Sequence, residues 1–282
     1  MSKAFGVVHN HICKLIFSHR TYTCVALQIT SIFCLLQPFV LISKHLNLLL
    51  TPLGFVFLVN NHTAHFVLSS CIIFLFSNAP YIDDTTPYII SRAGLTGFAT
   101  GNIIFIFMLS VLYTIAANIF CILCILPVIT WNLQWGNGWE LMANSPEIQQ
   151  FFRVFDIDSY IIKSFDACFS LIISIILEIC STFFMGMIAM ILNRLTKKYF
   201  GILVAIIFFV MDVGISNLFP LALVKISPLT LSSITAIFEY SKFVDLDLFY
   251  AFKFFLVSLT CMVIFYYWIE CIYYARNRRG VL

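Results

Sequence analysis

A chain of 282 residues that is 61% hydrophobic and only 10% charged cannot hide its apolar surface in a water-soluble fold, where about 45–50% apolar and about 25% charged residues are usual. Lipid is the solvent that this composition fits. The formal charge of +3 is scattered, with no basic run and no acidic tail to offer a nucleic acid, and the ten cysteines lie almost wholly within apolar runs, so no extracellular disulfide framework is expected.

Residues 1–20, MSKAFGVVHNHICKLIFSHR, place Phe5, Val8, Ile12 and Ile16 at helical spacing with Leu15 beside them. His9, Asn10, His11 and Lys14 interrupt the run. The pattern predicts an amphipathic helix at the membrane interface, not a signal peptide. A spanning helix needs about 20 mostly apolar residues, and six windows read as spans: 22–42, the shorter 64–78, 102–128, 165–192, 199–218 and 248–274. Between the first two, Lys44, Pro52, Gly54 and the Asn60–His62 triplet break an apolar run, which predicts an outer segment dipping into the interface. Residues 79–101 connect the second and third windows.

The 129–164 segment is more polar and carries Trp131, Trp135 and Trp139, as an interfacial aromatic belt would. Ser145, Pro146 and Glu147 form a helix start. Ile148, Phe151, Phe152 and Phe155 would then give one apolar face for a helix lying on the outer surface. Residues 219–240 are apolar but cut by Pro220 and Pro228, which predicts a re-entrant helical pair before the last span. The fold class expected is an all-α integral membrane protein: one transmembrane domain over 1–282, six transmembrane helices, an N-terminal interfacial helix and a re-entrant segment.

Six spans put both termini on one side. Lys3, Lys14, Arg20, Arg92, Arg194, Lys197, Lys198, Arg276, Arg278 and Arg279 fall there, against Lys44, Arg153, Lys163, Lys225, Lys242 and Lys253 on the other. The positive-inside rule makes the first side, with both termini and the 79–101 connection, cytoplasmic and the 129–164 loop external.

Motifs for an intramembrane enzyme are absent: there is no HExxH, no GxGD and no GxxxxGK[ST]. Cys121 and Cys124 form a CxxC without the polar neighbours that redox or zinc chemistry needs, so they read as core. His62 and His65 have a metal-ligand spacing but no cysteine or carboxylate near in sequence, and they read as interfacial polar residues. No metal site and no catalytic residue are expected. Three acids fall inside spans: Glu178, Asp212 and Glu270. A charge at mid-membrane costs roughly 2.5–3.5 kcal/mol, so such groups face a cavity or a partner. Glu178 and Asp212 are candidates for a translocation path; an interhelical hydrogen bond is the plainer alternative. Glu270 lies near Arg276 and reads as structural.

The connection at 76–97 reads FSNAPYIDDTTPYIISRAGLTG. Pro87 can start a helix with Thr86 as its cap; Tyr88, Ile89 and Arg92 would share one face, and Gly94 and Gly97 permit a stop and a turn. This run resembles the segment joining spans two and three in bacterial permeases of the ATP-binding-cassette type-2 transporter family, with Asn78 where an acid is usual and a less basic stretch at 93–96. Over the remaining chain the resemblance is one of architecture. In that family the segment forms a coupling helix seated in a cleft of the ATPase subunit. The resemblance therefore implies that Pro87, Tyr88, Ile89, Ile90, Ser91, Arg92, Ala93 and Gly94 dock on an ATPase. It also implies two ATPase chains holding ATP and Mg²⁺, a second permease chain that is identical or homologous, no cofactor in this chain, and a bacterial plasma membrane. The apolar spans lean toward an amphipathic or hydrophobic cargo, a peptide, lipid or drug. The competing readings are a self-contained secondary transporter and a membrane scaffold.

Overall fold

The computed structural model describes residues 2–82, 84–151, 157–196, 200–215 and 221–278. Arg153, Phe152, Phe155, Lys197, Lys198, Leu218, Pro220 and Arg279 lie outside the described residues. Among those described, every element is helical, and the only extended pairing is an isolated bridge between Leu50 and Ile129. In chain order the α-helices are α1 (Ser2–Ile16), α2 (His19–His45), α3 (Gly54–Asn60), α4 (His62–Phe76), α5 (Thr86–Ala93), α6 (Leu95–Ile125), α7 (Gly136–Asn144), α8 (Pro146–Phe151), α9 (Ser159–Ser164), α10 (Ala167–Thr196), α11 (Phe200–Ile215), α12 (Ile234–Ser241) and α13 (Leu248–Arg278).

Four of these, α2, α6, α10 and α13, are long and apolar enough to cross a membrane. α3 and α4 meet the same test only as a pair, bent by 91° at Asn61. α11 has 16 residues with Asp212 as its one charged side chain. At 1.5 Å per residue α4 and α11 reach about 22 and 24 Å, short of a hydrocarbon core of about 30 Å.

One end of the molecule is tied together by polar side chains. Lys14 of α1 donates to the Thr85 hydroxyl at 3.1 Å, and Arg20 of α2 to the Ser77 hydroxyl at 2.7 Å. Asn193 near the end of α10 donates to the carbonyls of Ser77 and Ala79 at 3.0 and 2.8 Å and accepts from the Gly201 amide at 2.8 Å. α1 lies along the start of α6 on its small-residue face. Ala4, Val7, Val8 and His11 are buried, whereas Phe5 and Ile16 are exposed. A Cβ added at Gly101 would stand 2.6 Å from Val7 Cβ and 3.0 Å from the Ala4 carbonyl oxygen. Of the expected apolar face, Val8 is buried with Ile12 and Leu15 packed beside it, whereas Phe5 and Ile16 point outward, so the packed face is turned toward Ala4, Val7 and His11. Small residues let two backbones approach, and bulky apolar side chains face lipid at no cost.

At the opposite end α7 closes over α3. The Trp139 indole donates to the Thr51 carbonyl at 3.0 Å, the Thr51 hydroxyl to the Trp135 carbonyl at 3.0 Å, and the Trp135 indole to the Phe165 carbonyl at 2.8 Å. Phe57 packs on both indoles, with ring centroids 5.5 Å from Trp135 and 4.8 Å from Trp139. Of the three tryptophans read as an interfacial belt, only Trp131 is exposed; Trp135 and Trp139 are core, because each indole N–H finds a backbone carbonyl inside the cap. The segment expected to dip into the interface is likewise buried: every residue of α3 is inaccessible.

The described part of 219–240 forms two 3-10 turns, Leu221–Lys225 and Thr230–Ser232, followed by α12, rather than a pair of helices. Pro228 lacks an amide proton, and local hydroxyl bonds compete with helix continuation: Ser232 donates to the Leu229 carbonyl at 2.7 Å, and Ser233 accepts from the Ala236 amide at 3.3 Å.

Candidate functional site: a buried polar junction and an exposed connecting helix

The inner tips of α4 and α11 meet α10 and the 3-10 turns at one buried polar junction. The 91° break before α4 is built from adjacent asparagines. The Asn61 side chain caps α4, accepting from the amides of Thr63 and Ala64 at 3.1 and 3.2 Å. Asn60 turns the other way. Its amide nitrogen donates to the Val56 carbonyl at 2.8 Å and the Ser174 hydroxyl at 3.1 Å, and its oxygen accepts from the Ile234 amide at 2.5 Å. One side chain therefore joins α3, α10 and the start of α12. Thr235 adds a bond from its hydroxyl to the Asn60 carbonyl at 2.7 Å.

His62 and His65, one turn apart on α4, project to the same side. His65 Nε2 lies 2.8 Å from Glu178 Oε2 on α10, and both residues are 2% exposed. His62 Nδ1 lies 3.7 Å from Asp212 Oδ2 on α11; the imidazole is about a third exposed and the carboxylate is buried. Thr230 donates to Asp212 Oδ1 at 2.5 Å, and Ser232 Oγ is 3.5 Å from His65 Nε2. The fold thus gathers Glu178 and Asp212 around the two histidines, pairing each acid with a base. Such an arrangement can hold and pass a proton between imidazole and carboxylate at low dielectric. Among the described residues no group of three or more His, Cys, Asp or Glu side chains has the geometry to hold a metal ion.

Sequence reading placed His62 and His65 at the interface, and His65 is buried instead. Two acids inside spans require partners, and a pair of histidines at i, i+3 spacing in an apolar segment is the signal that could have identified them. The third acid, Glu270, is also paired, but with Arg194 rather than Arg276. Arg194 Nε and a second guanidinium nitrogen lie 2.8 and 2.9 Å from the two carboxylate oxygens, and the guanidinium stacks 4.5 Å over Tyr273. The CxxC cysteines are free thiols in the apolar interior of α6.

At the other end α5 lies on the surface. Thr86 is its first residue and is buried; Thr85 occupies the cap position, so the cap falls one residue earlier than expected. Pro87, Tyr88, Ser91 and Arg92 are exposed, Tyr88 by 74%, while Ile89, Ile90 and Ala93 are half-buried. Gly94 ends the helix at φ +77°, a conformation that favours glycine, and α6 starts one residue later. α5 is held from behind by the bond from Lys14 of α1 to Thr85. Tyr88 and Arg92, at i and i+4, stand on its open side.

Comparison with family models, with curated proteins and with solved structures gives no match.

Proposed function

We propose that this chain is the transmembrane permease subunit of an ATP-driven exporter of the ATP-binding-cassette type. The observation that carries the reading is α5. It is a short surface helix between the second and third crossings, its sequence resembles a coupling segment, and Tyr88 and Arg92 are free to meet a partner. In this reading α3–α4 and α11 are short crossings beside the four long helices. The count is then six, and the broken stretch between α11 and α13 is a re-entrant element. Two ATPase chains bind ATP and Mg²⁺ on the cytoplasmic side of a bacterial plasma membrane, and a second permease copy or homologue completes the pathway. The cargo is amphipathic or hydrophobic, and this chain contributes no catalytic site. Glu178 and Asp212 line or gate the path.

Replacing Tyr88 and Ile89 with serine together with Arg92→Ala tests the coupling role. A co-expressed candidate ATPase subunit that co-purifies with the parent chain should no longer do so, or its turnover should no longer depend on transport, while the spans still insert. Unchanged co-purification and transport refute the reading.

The buried pairing of His65 with Glu178 and His62 with Asp212 favours a second reading, a self-contained carrier that moves protons. Transport persisting in vesicles that hold this chain alone, driven by a proton gradient, would select it.

A further inference from the structure

In its C-terminal half α2 exposes Gln37 and Lys44 among apolar neighbours. Gln37 and Lys44 are seven residues apart, so they lie on one face and about 10 Å apart along the axis. Neither side chain has a hydrogen bond or ion pair to another described residue. An amide facing hydrocarbon without a partner is costly. Beside these two residues a cavity of about 200 Å³ opens between α2 and the end of α6. Its apolar walls are Phe33, Val40 and Leu41 of α2, with Cys124 of α6 and Pro127 just beyond it. Lys44 lines the cavity one residue before the end of α2.

Along α2 from its C-terminal end the cleft presents the Lys44 cation, the apolar Leu41 and Val40, the Gln37 amide and then Phe33. We infer that the cleft is a binding site for a phospholipid of the leaflet at the His45 end of α2. The phosphate meets the Lys44 ammonium, a glycerol-ester oxygen accepts from the Gln37 amide, and an acyl chain lies against Phe33, Leu41 and Cys124. Charge complementarity selects lipid over a second copy of the chain packed through the same face. α2 contains no acidic residue, so the α2 of a second copy packed face to face offers Lys44 no anion. The site rests on the membrane setting of the long helices and not on the exporter reading.

The full-length chain, purified in a mild detergent, is incubated with phosphatidylglycerol, diacylglycerol or inorganic phosphate and examined by native mass spectrometry. One phosphatidylglycerol should remain bound per chain, and diacylglycerol should not. Lys44→Gln should weaken retention roughly tenfold, as loss of a charge-assisted phosphate contact does, and Lys44→Arg should restore it. Leu41→Trp, which fills the cavity and leaves the cation, should also release the lipid. Size-exclusion profile and melting temperature of these variants should match the parent. Equal retention of diacylglycerol, unchanged retention in both variants, or binding of inorganic phosphate in place of lipid would each overturn the assignment. The native Cys34 is exposed on the same face, at i, i+3 from Gln37. Efficient oxidative cross-linking of two chains through Cys34, with Cys261 and Cys271 replaced by serine, would show that a second copy covers the cleft, and would also overturn it.

Discussion

Removing the imidazole of His65 leaves Glu178 buried with no cation or donor facing it from α4. Breaking a buried pair from one side costs roughly 3–5 kcal/mol, because the remaining charge keeps its desolvation penalty. Glu178→Gln removes the charge and keeps a polar group against the imidazole, so the loss is that of a modified hydrogen bond, about 1–3 kcal/mol. His65→Ala is therefore expected to lower the melting temperature of the detergent-purified chain clearly more than Glu178→Gln. The reverse order would mean that the pair is not the junction's main tie. The proposed path makes a separate demand. Glu178→Gln and Asp212→Asn should lower transport while the chain still assembles, and full transport by both variants would return the two acids to a purely structural role.

At the scale of elements the cap formed by α7 supplies the sharpest contrast. Trp139 is fully buried against Phe57 and bonded to Thr51, whereas Trp131 is exposed. Trp139→Ala should cost about 3–5 kcal/mol, and Trp131→Ala should stay within about 0.5 kcal/mol. The comparison is read from thermal or denaturant midpoints of the two variants. Gly138→Ala belongs with the damaging change, since its Cβ would stand 2.4 Å from the Leu49 carbonyl oxygen. The three tryptophans also show where sequence reading stops. Hydropathy and length marked the four long helices, because insertion depends on composition summed over about 20 residues. The burial of α3, Trp135 and Trp139 depends on which loop folds over which, and no window of the sequence carries that. Likewise the acids at 178 and 212 announced themselves by their cost in lipid, but their partners lie far away in the chain, 113 residues away for His65. The bounds of α5 were legible to within one residue because Pro87 and Gly94 act locally at its two ends; its brace, Lys14, was not.

For the whole molecule, the two ends differ in charge. Lys3, Lys14, Arg20, Arg92 and Arg194 sit at the end that holds α1, α5 and the finish of α10. The opposite end carries Lys44, Lys163, Lys225, Lys242 and Lys253, but among Asp158, Asp166, Glu239, Asp245 and Asp247. Cations in short connections are retained on the cytoplasmic side. The first end is therefore predicted to be cytoplasmic, with α7 and its cap outside. Asn137 is exposed on α7, next to the buried Gly138, and so reports on the cap without disturbing its packed face. In a background with the exposed Cys34, Cys261 and Cys271 replaced by serine, Asn137→Cys should react with a membrane-impermeant maleimide on intact cells. A cysteine at Ser91, exposed on α5, should react only after lysis. Labelling in the opposite order would invert the molecule. It would also remove α5 from the compartment where ATP is found, and the coupling role proposed for Tyr88 and Arg92 would fall with it.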